Sequence, residues 1–316
     1  MSEERIIVSL TTIPSRKESL LKTIESILKQ SYKFDKFVIN IDNNLSNENY
    51  SFYNRLVGID KRIEVNLCDA KWRSCNKLLP TLLKYPNDVI ITIDDDISYP
   101  KDALKVMVND YEKNRDCIIT LAANPVLVDN EGNYCGYMLD NDFCLKQKGY
   151  SKYMSMGTLF PPHIFTGTDV FDYDKMMACT NGTHDELWFW VNSTIKGTMV
   201  IVENNYLENL EEYSSESNYT DGYKLWNTNQ EADTLMWYIH RVREMYGEKL
   251  SAVLKNKIEI KLNPDNLSSF FFQFKTLYRY YHGNYVLNIE ELQRGKVKAL
   301  RDFLNGSGIN LDDVIK

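Results

Sequence analysis

Between residues 5 and 121 short apolar runs alternate with helical patterns, and this alternation constrains the fold more than any other feature of the chain. Residues 5–10 (RIIVSL), 34–42 (FDKFVINID) and 62–68 read as strands. Residues 88–93 form a nearly continuous apolar run, as in a strand covered on both faces. Leu20, Leu21, Ile24, Ile27 and Leu28 recur at helical spacing behind Ser15 and Glu18, which fit a capping box. Leu78, Leu79, Leu82 and Leu83 mark a second helix, in which Pro80 is tolerable only in the first turn. Leu104, Met107, Val108 and Tyr111 mark a third after Pro100, and residues 117–121 start the next strand. This βαβαβ order predicts an α/β fold with a mostly parallel sheet, flanked by helices and joined by right-handed crossovers.

The rest of the chain is less regular. Residues 125–165 hold turns, aromatics and short strand candidates. Residues 183–196 read as a helix with Leu187, Trp188, Val191 and Ile195 on one side, and 198–202 as a strand. Residues 203–221 are acidic, rich in Asn, Ser and Tyr, and read as a mobile loop. Residues 231–246 read as a helix stopped by Gly247. Beyond lie a strand candidate at 257–262 and a helix capped by Asn288 and Glu291. The expected division is therefore a domain over 1–247 and a mainly helical extension over 248–316.

Composition narrows the classes. Of 316 residues, 43% are hydrophobic and 26% charged, which is ordinary globular usage. A net charge of −7 argues against nucleic-acid binding by broad phosphate neutralisation. The six cysteines form no C-x-x-C pair, so reduced and buried thiols are expected. The start, Met1 to Arg5, is acidic and precedes only a short apolar run, which predicts a cytoplasmic protein without a secretory signal.

Two acidic clusters could carry chemistry. Asp94, Asp95 and Asp96 directly follow the apolar run of residues 88–93. Strand alternation would put Asp94 and Asp96 on one face, at the carboxyl edge where open parallel sheets bind ligands. Three adjacent carboxylates repel one another unless a cation sits among them, and Mg²⁺ or Mn²⁺ can share such ligands with a diphosphate. A polar exit from a strand is the structural alternative. The second cluster is Thr183-His184-Asp185-Glu186. Thr183 and Glu186 fit a capping box, which explains Glu186 structurally and leaves Asp185 free for chemistry. His184 reads as structural. Thr11, Thr12 and Arg16 follow the first strand, Asp42 the second and Asp69 the third, with Lys77 close behind. Together they would line one rim, as a nucleotide requires.

Six blocks carry a resemblance: VSLTTIPSR (8–16), NKLLPTL (76–82), ITIDDDISYP (91–100), GTLFPP (157–162), HDELWF (184–189) and LWNTNQEAD (225–233). In this order they resemble GT-A fold glycosyltransferases, close to the inverting family-two type that builds lipopolysaccharide or capsular glycans in bacteria. The resemblance implies a Rossmann-like nucleotide-diphospho-sugar transferase domain. It implies a metal-dependent hexosyltransferase using Mn²⁺ or Mg²⁺, a UDP-linked hexose donor and a glycan or lipid-linked acceptor. Asp94-Asp95-Asp96 resembles the DxD motif, with Asp94 near the ribose and metal and Asp96 on the metal. Thr11, Arg16, Asp42, Asp69, Lys77 and Asp95 fall on the donor side. Asp185 resembles the acceptor base, but Glu186 stands where a second Asp is usual, so the base is one or the other. The aromatic and basic stretch 270–285 either packs on the catalytic domain or meets a membrane surface at its inner face. A sugar-phosphate nucleotidyltransferase, the nearest rival, would need a glycine-rich loop after the first strand, and LTTIPSRKE has none. Another metal-dependent phosphoryl enzyme stays open from the Asp triplet alone.

Overall fold

The structure, a computed structural model, describes residues 4–128, 132–137, 152–203, 211–212 and 232–255. Four strands, β1 (Ile6–Thr11), β2 (Lys36–Asp42), β3 (Ile63–Cys68) and β4 (Val89–Thr92), pair in parallel in the order β3-β2-β1-β4. Next to β4 lies β8 (Lys152–Phe160), antiparallel to it, and then β6 (Ile118–Val128), antiparallel to β8. β7 (Tyr134–Tyr137) pairs antiparallel with β6, and β9 (Val200–Val202) pairs parallel with β6. The result is one eight-stranded mixed sheet. The expected parallel order holds for its first four strands and for β6 with β9. The antiparallel β8 was not anticipated, because its sequence lies in the irregular stretch.

Side chains alternate across this sheet, and each face has its own core. Val8, Ile39 and Ile91 point to one side, where they meet α1 (Lys17–Leu28), α2 (Asn47–Leu56) and α4 (Ala103–Lys113). Ile7, Val38 and Ile90 point to the other, with α3 (Leu79–Lys84), α5 (Tyr173–Thr180), α6 (Asp185–Ile195) and α7 (Ala232–Leu254). Both faces are covered, which is why the strands read as apolar runs rather than as alternating patterns. A parallel arrangement brings the ends of β1 to β4 to one edge. Thr11, Asp42, Asp69 and the Asp triplet therefore share that edge, as the sequence implied.

Several local expectations change. Helix α1 starts at Lys17 with Arg16 as its N-cap and no side-chain cap bond, so the Ser15 capping box does not form as read. Pro80 sits in the first turn of α3, where its missing N–H costs nothing. Helix α2 went unread because only Tyr53 and Leu56 of its ten residues are buried, too few to show a period. A short strand β5 (Ile97–Ser98) follows the triplet and pairs antiparallel with β10 (Glu211–Glu212), inside the stretch expected to be loop. The remainder of that loop and residues 256–316 of the expected 248–316 extension lie outside the described residues. Among the described residues no helix is long and apolar enough to cross a membrane.

Gly247 does not stop its helix. Helix α7 runs through it to Leu254, because Val242, Tyr246, Leu250 and Leu254 continue one buried stripe across it. A Cβ added at Gly247 would meet nothing within 4 Å. Gly247→Ala should therefore stabilise the protein by about 0.5–1 kcal/mol, read as a rise in the thermal or denaturant midpoint.

Candidate active site

The Asp triplet lies past the end of β4, so strand alternation no longer governs it. Asp94 turns to Lys77, whose Nζ is 3.1 Å from its Oδ1. The Asp94 N–H donates to Tyr99 Oη at 2.9 Å, which fixes the turn from behind. Asp95 points inward, is 3% exposed and pairs with Arg16 at 2.6 Å. Asp96 lies 3.6 Å from the same guanidinium. The expectation that Asp94 and Asp96 share a face holds only if strand geometry persists, and β4 ends at Thr92; the two carboxylates meet different cations. Asp95, expected on the donor side, is an anchor for Arg16. Burial pushes the Asp95 carboxyl up, and Arg16 works against that rise.

Lys77 is the centre of the site. It ends the 3₁₀ segment η2 (Ala70–Lys77), which Asp69 caps by accepting the Lys71 N–H at 3.0 Å. Asn76 braces the same segment by donating to the Asp69 carbonyl at 3.0 Å. The Lys77 Nζ lies 2.8 Å from Asp185 Oδ2, 3.3 Å from Glu186 Oε1 and 3.1 Å from Asp94. Burial disfavours a charged lysine, but the three carboxylates outweigh it and hold Lys77 protonated.

The two carboxylates of α6 are held differently. Burial, helped by the neighbouring Glu186 charge, pushes Asp185 up to about 6 against the pull of Lys77. Glu186 is also desolvated, yet Lys77 and His184 hold it well below the usual carboxylate range. His184 Nδ1 sits 3.5 Å from Glu186 Oε2. The expected Thr183–Glu186 capping box is absent. Thr183 Oγ1 donates to the Thr180 carbonyl at 3.0 Å and hydrogen-bonds Tyr238 Oη at 2.6 Å, and the N-cap position of α6, His184, makes no side-chain cap bond. Both carboxylates therefore face Lys77, and Glu186 loses the structural explanation that the spacing suggested.

The other rim residues sit at the strand ends but spend their side chains locally. Thr11 Oγ1 donates to the Asn40 carbonyl at 3.1 Å. Asp42 Oδ1 accepts the Asn44 N–H at 2.7 Å. Asp69 pairs with Lys71 Nζ at 3.1 Å. A small, open pocket lies beside the Lys77 cluster, between Lys77, Asp94 and Glu186 on one side and Met154, Met156 and Thr158 of β8 on the other. Sequence reasoning missed Tyr99 and the role of His184. Neither has a periodic signal, because each acts through a contact with a residue of the site.

No group of three or more metal-ligating side chains occurs among the described residues. A divalent ion at the triplet would need oxygens from a ligand as well as from protein. Asp94 and Asp96 keep 28% and 15% of their side chains exposed, which suits an ion shared with a diphosphate.

Residues 11–157 match the sequence model of the family described as Glycosyl transferase family 2. The span runs from the end of β1 through Lys77 and the Asp triplet into β8. Over this stretch, a little under half of its length, the chain is similar to family-2 glycosyltransferases. No curated protein sequence matches the chain. Among solved structures it is similar to S. aureus TarS residues 1–349 in complex with UDP, at 11% identity over 96% of this chain and 80% of that one, with a TM-score of 0.49. The same TarS segment in complex with UDP-GlcNAc matches at 11% identity over 96% and 81%, with a TM-score of 0.49.

The Arg16–Asp95 pair carries a stability test. Arg16→Met leaves a buried carboxylate without its cation and should lower stability by about 2–3 kcal/mol, somewhat less than for a fully buried pair. Adding Asp95→Asn to that variant should recover most of the loss in urea unfolding.

Proposed function

We propose that the chain transfers a sugar from a nucleotide-diphosphate donor, a UDP-linked hexose, to a hydroxyl of a glycan or lipid-linked acceptor, with inversion and in a metal-dependent reaction. The observation that carries this is the Lys77 cluster, which ties Asp94 of the triplet to Asp185 and Glu186 of α6, with Lys77, Asp94 and Glu186 lining one pocket. Transfer needs two things close together: a cationic place for the leaving diphosphate and a base for the incoming hydroxyl.

Asp94 and Asp96 would hold Mg²⁺ or Mn²⁺, which when bound neutralises charge developing on the diphosphate. Lys77 supplies a fixed cation beside them. Asp185 accepts the proton of the acceptor hydroxyl as that oxygen attacks the anomeric carbon on the face opposite the nucleotide. Its elevated pKa suits a base that must be ionised near neutrality and still bind a proton. Thr11, Asp42 and Asp69 would meet the nucleoside, and donor entry would then exchange their present local bonds for ligand contacts. A lipid-linked acceptor would bring the enzyme to the cytoplasmic membrane surface.

The test is nucleotide release from UDP-sugars with Mn²⁺, followed by product mass spectrometry across a donor panel. Asp185→Asn should lower turnover about 10²–10⁴-fold while nucleotide still binds. Glu186→Gln should stay within about threefold of wild type. Asp96→Ala should abolish transfer and remove the Mn²⁺ dependence of UDP binding in calorimetry, with an unchanged melting curve. The pH dependence follows from the same base. Asp185 must be ionised, so activity should be flat above about pH 6 and fall as the pH drops through that value. A profile without that acid limb would remove Asp185 from the role.

A further inference from the structure

The acidic pair of α6 poses a choice that the reaction itself does not make. Two neighbouring carboxylates approach one lysine, and either could take a proton. They differ in what else holds them. Glu186 is gripped at both oxygens, Oε1 by Lys77 at 3.3 Å and Oε2 by His184 Nδ1 at 3.5 Å. Asp185 shares Lys77, at 2.8 Å from its Nζ.

His184 is itself fixed. It is 5% exposed, and its ring meets the Tyr238 ring at 5.1 Å in an edge-on contact. Tyr238 is held in turn by its 2.6 Å hydrogen bond to Thr183. Helix α7 thus clamps the imidazole against the start of α6. This arrangement exceeds what a packing histidine needs, because its nitrogen is aimed at a carboxylate of the site.

We propose that His184 is a positioning residue, which fixes the Glu186 carboxylate against Lys77 and so leaves Asp185 as the carboxylate that takes the acceptor proton. This rests on the glycosyl-transfer reading above. The groups facing Glu186 are Lys77 and Cys75 from η2, Asp185 and His184 at the start of α6, and Tyr238 from α7. Of these, Lys77 and His184 favour the Glu186 anion. Removing His184 frees Glu186 to swing toward solvent and carry its charge away from Asp185. Asp185 then falls toward the ordinary carboxylate range and becomes a weaker base.

The experiment measures UDP released to water from UDP-glucose and UDP-N-acetylglucosamine with Mn²⁺, across the pH range spanning 6. His184→Phe keeps a ring against Tyr238 but has no N–H. It should move the acid limb of kcat to lower pH and lower the plateau about threefold, with the donor KM unchanged. His184→Asn places an N–H near the Nδ1 position and should restore both the limb and the plateau. An unmoved limb in His184→Phe, or an Asn variant that behaves like Phe, overturns the proposal. Should His184→Phe fail to fold by circular dichroism, His184→Leu serves instead, because it also lacks the N–H and should shift the limb the same way. An unmoved limb there also overturns it. Failure of the underlying reading looks different: Asp185→Asn would then keep wild-type activity. An inactive Asp185→Asn beside an unaffected His184→Phe rejects the positioning role alone.

Discussion

A single ammonium group, that of Lys77, holds the site together. It is largely withdrawn from water, and it stays charged because Asp94, Asp185 and Glu186 surround it. The dependence is mutual. Three carboxylates this close would repel one another without the lysine, and the lysine would deprotonate without them. The cluster also links parts of the fold that no strand pairing joins directly. Asp94 comes from the turn after β4, Lys77 from η2, and Asp185 and Glu186 from the start of α6. The position of each carboxylate is therefore set by charge balance as much as by its own element.

Much of the architecture was legible in the sequence, for a clear reason. Strands β1 to β4 are covered on both faces, so they appear as unbroken apolar runs, and the helices between them bury one stripe each. Their parallel order then fixes which loops share an edge, and Lys77, Asp94 and Asp185 could be named before any coordinates. What failed was finer. The Ser15 and Thr183 capping boxes matched a spacing, but a spacing does not show which partner a hydroxyl prefers. Thr183 prefers Thr180 and Tyr238. Gly247 matched a stop signal, but the buried stripe across it outweighs the propensity cost of one glycine.

The triplet teaches a related lesson. Alternation along a strand applies only as far as Thr92, where the backbone leaves the sheet. The outcome there depends on which cation is in reach. Arg16 claims Asp95 and approaches Asp96, while Lys77 claims Asp94. Tyr99 and His184 could not have been found by pattern at all, since their importance lies in a hydrogen bond to Asp94 and a contact with Glu186 made only in three dimensions.

The antiparallel β8 has a consequence for how the protein comes to be active. Lys77 and Glu186 are 109 positions apart in the chain, and between them the polypeptide must cross the sheet and insert β8 beside β4. Such a contact is expensive in loop entropy and forms late. A chain with only its first four strands assembled would hold Lys77 beside Asp94 alone, open to water on the side that β8 and α6 later cover. The acidic residues of α6 thus act as the closing clasp of the assembly. A nascent or half-folded molecule lacks not merely precision at the site but the site itself, and catalytic competence becomes a report that the whole sheet has closed.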